Sequence, residues 1–267
     1  MRRNWYGNSI QFAWIILLGF LSGSVWGSPP ENAVAPNTHN SSLLPGLALP
    51  ALGESYNAAA DFAKSWDVKK NPYGAWRYGW SDGLYGTFVL FPYASILPYH
   101  NRQQAGWNDP SVDYGYTPSV RLNFGGDYDD GNVAYRAGAF ILHGGGKGGN
   151  DFAHAIWTAP TSGRYSVYVV FEAQQYGINA DAHILVSTTA AALPDAPLVI
   201  HLPGEPAQKG KVVSCYDTVL TQNRMTGNFT GNFTLAEGDT IDFAVGQNNT
   251  KPQHPGCVAL NAVIQKQ

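Results

Sequence analysis

The chain has 267 residues, with sixteen Lys and Arg against nineteen Asp and Glu for a net charge of −3, and no basic block. Nucleic-acid binding and adhesion to anionic membranes both need concentrated positive charge, so the balance argues against either. Charged residues make up 13% of the chain and aromatic residues another 13%, and the flat faces and polar edges of Tyr and Trp suit neutral polar ligands better than ionic ones.

Met1-Arg2-Arg3 forms a positive start, Phe12–Leu21 an apolar run, and Ser22–Ser28 a stretch of small and polar residues in which Val25 and Gly27 suit a signal-peptidase site. This layout predicts a secretory signal peptide over 1–27. The apolar run is shorter than the roughly 18–20 residues that cross a bilayer, so cleavage is favoured over anchoring. Cleavage would remove Arg2 and Arg3 and take the net charge from −3 to −5. No later stretch is apolar enough to span, which predicts a secreted, periplasmic or extracellular protein without a membrane span. Residues 28–54, rich in Pro, Ala, Ser and Asn, offer little to bury and are expected to be a disordered linker. Residues 55–267 suffice for one domain with a real core.

Within that domain only Tyr56–Trp66 admits a helical turn. Short β-rich segments follow at 75–80, 86–91, 117–123, 133–142 and 152–158, separated by Gly, Pro, Asn and Asp. Gly163–Glu172 alternates Tyr165, Val167, Val169 and Phe171 onto one face, Ala182–Val186 does so with Ala182, Ile184 and Val186, and Asp239–Val245 with Ile241, Phe243 and Val245. Further strands are expected at 197–202, 211–220, 227–235 and 257–264. Gln104–Tyr116 reads as turn-rich and Gly144–Gly149 as a loop. About a dozen short strands without helical period indicate an all-β sandwich or barrel. Cys215 and Cys257 are an even pair in an exported domain, which suggests a disulfide worth about 4 kcal/mol in the chain-entropy model. The alternative is two buried thiols.

Several pieces in order carry a family resemblance. ADFAKSWDVKKNPYGAWRYGWSDGLYGTFVLF at 60–91 resembles the opening of a jelly-roll domain common in exported bacterial proteins, some of which bear C-terminal sorting anchors. Gly138–Gly144, Ala155–Pro160 with Ser162–Tyr165, His183–Val186 and Leu235–Gly246 follow in the family's order. The similarity covers about 56–265. It implies a jelly-roll-like antiparallel β-sandwich, related in shape to galactose-binding-like carbohydrate modules, and it brings no catalytic residues with it. The chain departs from the pattern at His143-Gly144-Gly145-Gly146, where the family tends to have His-Pro-Gly. Asn261 stands where Asp is common, and the cysteine pair lies outside the pattern. No sorting anchor is expected after the last strand.

Four constellations carry chemistry. Trp76, Tyr78 and Trp80 alternate, so a strand there puts the three rings on one side, either as a stacking platform for sugar rings or as core beneath Phe88 and Trp157. Trp107, in the turn-rich stretch, is the aromatic most expected to meet a ligand. Asp127, Asp129 and Asp130 set three carboxylates within four residues, which could hold a structural Ca²⁺ or form an acidic turn. Asp61 with Asn261 is a second candidate. Gly79-Trp80-Ser81-Asp82-Gly83 matches the G-x-S-x-G pattern, and His143–Gly146 echoes an oxyanion loop. A nucleophile elbow needs a helix after the serine, however, and Leu84–Leu90 reads as strand, so the match is expected to be a decoy. The six later histidines form no metal-binding pair, although strand geometry could bring His154 and His183 together. The reading is a non-catalytic secreted module that needs no cofactor and binds a glycan weakly through exposed aromatics. The alternative is an envelope or extracellular structural domain whose partner is another component of that compartment.

Overall fold

A computed structural model describes residues 53–96, 104–112, 117–145, 150–188, 211–248 and 256–267. All of these belong to the second of two units into which the chain divides, Pro50–Gln267. The expected leader, nearly all of the linker and the strand at 197–202 lie outside the described residues. Among the described residues, no helix is long and apolar enough to cross a membrane.

The elements in chain order are β1 (Ser55–Asn57), α1 (Ala58–Val68), β2 (Trp76–Asp82), β3 (Val89–Leu90), β4 (Tyr93–Ile96), β5 (Gln104–Asn108), β6 (Ser119–Asn123), β7 (Tyr128–Asp129), β8 (Ala134–Tyr135) and β9 (Phe140–His143). They continue with β10 (Asp151–Thr158), β11 (Gly163–Ala173), β12 (Ala180–Thr188), β13 (Lys211–Leu220), β14 (Thr226–Leu235), β15 (Thr240–Gly246) and β16 (Cys257–Lys266). Two antiparallel sheets form the sandwich. One runs β14-β11-β16-β9-β6-β5-β4 with β1 also paired to β16, and the other runs β13-β12-β15-β10-β2-β3. The β7–β8 hairpin is a separate small sheet. The fold is an all-β, jelly-roll-like antiparallel sandwich.

Alternation drives the closure. β11 buries Tyr165, Val167, Val169 and Phe171, and β15 buries Ile241, Phe243 and Val245, all in one core shared by both sheets. Each fully buried side chain of this size stabilises by roughly 1.5–3 kcal/mol. Helix α1 begins where the Asn57 side chain accepts from the Ala60 amide, and it ends with Lys69 in the left-handed region, both ordinary caps. Its Phe62 reaches between the sheets, 5.1 Å from the Tyr78 ring and 4.8 Å from the Phe140 ring. The helix thus completes the core.

Two expectations are corrected. Gln104–Asn108 is strand β5, buried along its length, and not part of a turn-rich loop. Cys215 and Cys257 are free. Cys215 lies on β13 in the six-stranded sheet and faces the shared core. Cys257 lies on β16 in the other sheet and faces outward, in a separate cluster with Val133, Tyr135 and Ile141. The residue next to it, Val258, is the one that turns inward, so register aims the two sulfurs at different sides of a sheet. Burial, and secondarily Asp217, pushes the Cys215 thiol up to about 12. Burial likewise raises Cys257. Denatured without reductant, the protein should release two thiols per chain to a thiol-reactive chromophore. A count of zero would mean that the cysteines pair.

Candidate functional site

The aromatic set expected to meet ligand is mostly interior. Trp76 is 2%, Tyr78 0% and Trp107 4% exposed, and buried rings offer no face to a sugar. Trp76, Tyr78 and Trp80 do share one side of β2, but that side faces the core, where Trp76 stacks with Phe243 at 6.1 Å. Trp80 is partly buried against the same core. Trp107 points inward from β5. The residue expected above them in the core, Phe88, lies instead on the outer side of β2: a Cβ on Gly79 would fall 2.4 Å from its ring.

That outer face of the six-stranded sheet is where polar chemistry gathers. Register places His154 opposite Gly79 on one side and Ala244 on the other, and Ala244 opposite His183, which pairs with Asp217. The two histidines therefore sit in one row, two strands apart, about 9–10 Å at the usual strand spacing. Their meeting on one face was an expectation of strand geometry. His154 Nδ1 donates to the Asp242 carboxylate at 2.9 and 3.1 Å, and its Nε2 lies 2.7 Å from Ser81 Oγ. His183 is clasped on both ring nitrogens, Nδ1 by Asp217 at 2.5 Å and Nε2 by Asp181 at 3.0 Å. Ser214 also donates to Asp217 at 2.7 Å.

Aromatic rings flank the row. Phe88 meets His154 edge-on at 6.0 Å and holds the Arg77 guanidinium 5.5 Å from its centroid. Phe152 lies between the two histidines, 6.4 Å from His154 and 5.7 Å from His183. Tyr85 is exposed on the Gly83–Phe88 loop. Burial, and after it the Asp217 carboxylate, raises its hydroxyl pKa.

Ser81, His154 and Asp242 together form a serine–histidine–aspartate relay that sequence reasoning missed. The signal was thin: Ser81 stood inside a pattern set aside for its missing helix, and nothing linked it to residues 73 and 161 positions away. The elbow itself is absent, because Ser81 is within strand β2 and the chain continues into β3. His143 belongs to β9 of the other sheet. Ser81 is 1% exposed, and its hydroxyl donates to the Gly83 carbonyl at 2.7 Å. As folded, the relay ties β2, β10 and β15 to the turn that opens the Gly83–Phe88 loop.

The acidic stretch uses its carboxylates locally. Asp127 accepts from the Ala137 amide, Asp129 from the Gly131 amide and the Tyr176 hydroxyl, and Asp130 from the Asn132 and Val133 amides. Asp61 accepts from Trp76 Nε1 at 3.1 Å and from Lys64 at 3.0 Å, while Asn261 is exposed on β16. Among the described residues no three of His, Cys, Asp and Glu come together as a metal site. Neither free cysteine faces the polar row: Cys215 turns into the core from β13, and Cys257 lies on the opposite sheet.

The His183 cluster makes stability depend on pH. Burial opposes the charge on His183, but hydrogen bonds to Asp181 and Asp217 outweigh it and raise the pKa. Burial likewise opposes the Asp181 carboxylate, and the His183 and Asn248 hydrogen bonds overcome it, leaving the pKa lowered. His183 holds its proton more tightly when folded, so its contribution is complete below the unfolded value of about 6.5 and fades as pH rises through the higher folded value. Asp181 contributes fully above about 3.9 and loses that contribution as pH falls through its lower folded value. Both act together between roughly pH 4 and 6.5. Urea midpoints should peak in that window and decline toward pH 8, with the alkaline decline flattened in His183→Gln. Wild-type midpoints that climb steadily from pH 6 to 8 would contradict the assignment.

No protein-family model matches the chain, and no curated protein matches it. Among solved structures, it is similar to the N-terminal cellulose-binding domain of β-1,4-glucanase C from Cellulomonas fimi, at 13% identity, covering 52% of this chain and 84% of that one with a TM-score of 0.28. It is also similar to the K1 cleaved adhesin domain of Lys-gingipain from Porphyromonas gingivalis, at 11% identity over 80% and 98% of the two chains, TM-score 0.32. A third is the carbohydrate-binding module TmCBM61 in complex with β-1,4-galactotriose, at 8% identity over 75% and 94%, TM-score 0.29. At these values the likenesses stop at architecture and say nothing of what this chain binds.

Proposed function

We propose that the domain is a non-catalytic binding module for neutral glycans, with the outer face of the six-stranded sheet as its ligand surface. One observation carries this: the loop Gly83–Phe88 sets Tyr85 and Phe88 beside a row of carboxylates and imidazoles that crosses the sheet. A sugar offers C–H groups to an aromatic face and hydroxyls to oxygen acceptors, so this pairing of group types fits a polyol. The low content of charged residues agrees with a neutral ligand. Tyr85, Phe88 and Asp217 replace Trp76, Tyr78 and Trp107 as the contact residues. Export from the cell, which the leader suggests, would place the module where such glycans occur.

Affinity electrophoresis of the full chain through gels containing neutral polysaccharides (cellulose derivatives, xylan, mannan or galactan) tests the reading. Retardation by at least one is expected, weakened about two- to tenfold by Tyr85→Ala or Phe88→Ala, the range for one aromatic contact. Trp107→Ala should lower stability and leave retardation intact in the folded fraction. Migration unchanged in every gel would sink the proposal.

The relay favours a second reading, a serine hydrolase, and the two separate cleanly. A nucleophile needs access for a carbonyl carbon and donors for the resulting oxyanion, whereas Ser81 is enclosed and already engaged with Gly83. A fluorophosphonate probe should leave Ser81 unmodified. Ser81→Ala should cost about 1–3 kcal/mol of stability, as expected when a buried polar network loses a member, without abolishing retardation. Covalent labelling of Ser81 would instead make the chain an enzyme.

A further inference from the structure

We propose that the outer face of the eight-stranded sheet holds a buried carboxylate site built on Arg121. This face is opposite in the sandwich to the one assigned to glycans, and the proposal does not depend on that assignment. Arg121 projects outward from β6, because Val120 and Leu122 on either side of it turn into the core. In register, Ser119 pairs with His143 and His143 with Cys257, while Arg121 pairs with Ile141 in the adjacent outward row. Arg121 is 3% exposed and His143 9%. The hairpin β7–β8 covers the neighbouring side, with Tyr135 Oη 3.3 Å from Cys257 Sγ.

The guanidinium is only partly satisfied. Its Nε donates to Ser119 Oγ at 3.0 Å and its Nη1 to Gln104 Oε1 at 3.1 Å. Arg121 Nη2 and both ring nitrogens of His143 are buried without a hydrogen-bond partner. Among the described residues no carboxylate pairs with Arg121. The two acidic protons near it, on Cys257 and Tyr135, are held more tightly than usual, chiefly by burial, so neither group supplies the missing negative charge. A buried guanidinium without a counter-charge is costly, and so is each buried donor left unmade.

The group that would complete the site follows from this inventory. Every open position belongs to a donor apart from one imidazole nitrogen, and the open charge is a single positive one. The ligand is therefore rich in acceptors and carries one negative charge. Arg121 has N–H groups left on Nη1 and Nη2, the planar fork that takes a carboxylate through two parallel hydrogen bonds. His143 can add a donor. A phosphate dianion would leave excess charge enclosed, and a halide would use only one prong of the fork.

Thermal unfolding of the full chain at constant ionic strength tests this, replacing sodium chloride with sodium acetate or sodium D-glucuronate and adding D-glucose as a neutral control. Acetate supplies the carboxylate alone, and glucuronate supplies it on a sugar ring. Either salt should raise the midpoint by about 3–6 °C at ten times its dissociation constant. Arg121→Met should remove the response. His143→Ala breaks no hydrogen bond within the protein and should fold even where Arg121→Met does not, with the carboxylate dissociation constant weakened about three- to tenfold. A response to glucuronate alone supports an acidic sugar as the source, and a response to both supports any carboxylate. Equal midpoints in chloride, acetate and glucuronate overturn the proposal, as does an undiminished response in His143→Ala or a glucose effect as large as that of glucuronate.

Discussion

A strand paired on both sides must hand alternate residues to opposite faces, and in this sandwich only one face of each sheet can join the common interior. Strand β10 shows the constraint most plainly. Ala153, Ala155 and Trp157 enter the core, and Phe152, His154 and Ile156 are forced to the other side. Yet β10 is buried through almost its whole length, so its outward residues are covered as well. A covered outward face is a second, thinner interior, and polar groups placed there must find partners in the protein or in a ligand.

The two sheets meet that requirement in different ways. On the six-stranded sheet each imidazole is matched with a carboxylate, His154 with Asp242 and His183 with both Asp181 and Asp217. Each imidazole there has a carboxylate within hydrogen-bond distance. On the eight-stranded sheet Arg121 has no carboxylate partner among the described residues, and its Nη2 and the His143 ring nitrogens are unmade. The two proposed ligands rest on this difference: a neutral one where each imidazole has its carboxylate, and an anion where the guanidinium has none among the described residues.

Much of the frame was legible because alternation is local. Gly163–Ala173, Ala180–Thr188 and Thr240–Gly246 form where period-two runs sit between turn residues, and helix α1 begins beside Tyr56 with Asn57 as its cap. Strand β5 was not legible, since Gln104, Gly106 and Asn108 look like turn residues. They are in fact outward-facing positions that alternate with the buried Ala105 and Trp107. Gly106 is required by close approach, as a Cβ there would meet the Val120 carbonyl at 2.1 Å. The same blindness misplaced the binding aromatics: alternation grouped Trp76, Tyr78 and Trp80 correctly, but the side they share is chosen by the second sheet. The cysteines failed similarly, because an even count says nothing about which side of a strand each sulfur takes.

Contacts between distant strands were the least accessible, and the relay shows why their geometry must be read with burial. Three side chains at hydrolase-like distances arise when neighbouring strands carry Ser, His and Asp on one outward face. What they do is then settled by their surroundings. Here the Ser81 hydroxyl is spent on the carbonyl of Gly83, the residue that opens the loop bearing Tyr85 and Phe88. Gly79 leaves the space that Phe88 fills over His154, so the relay and the ring hold the loop down from two sides. The hydrogen bond that occupies the Ser81 hydroxyl is thus the one that fixes the base of the aromatic loop, and a fixed loop would lose less entropy on engaging a ligand. On the proposed reading, the serine serves recognition by positioning that loop.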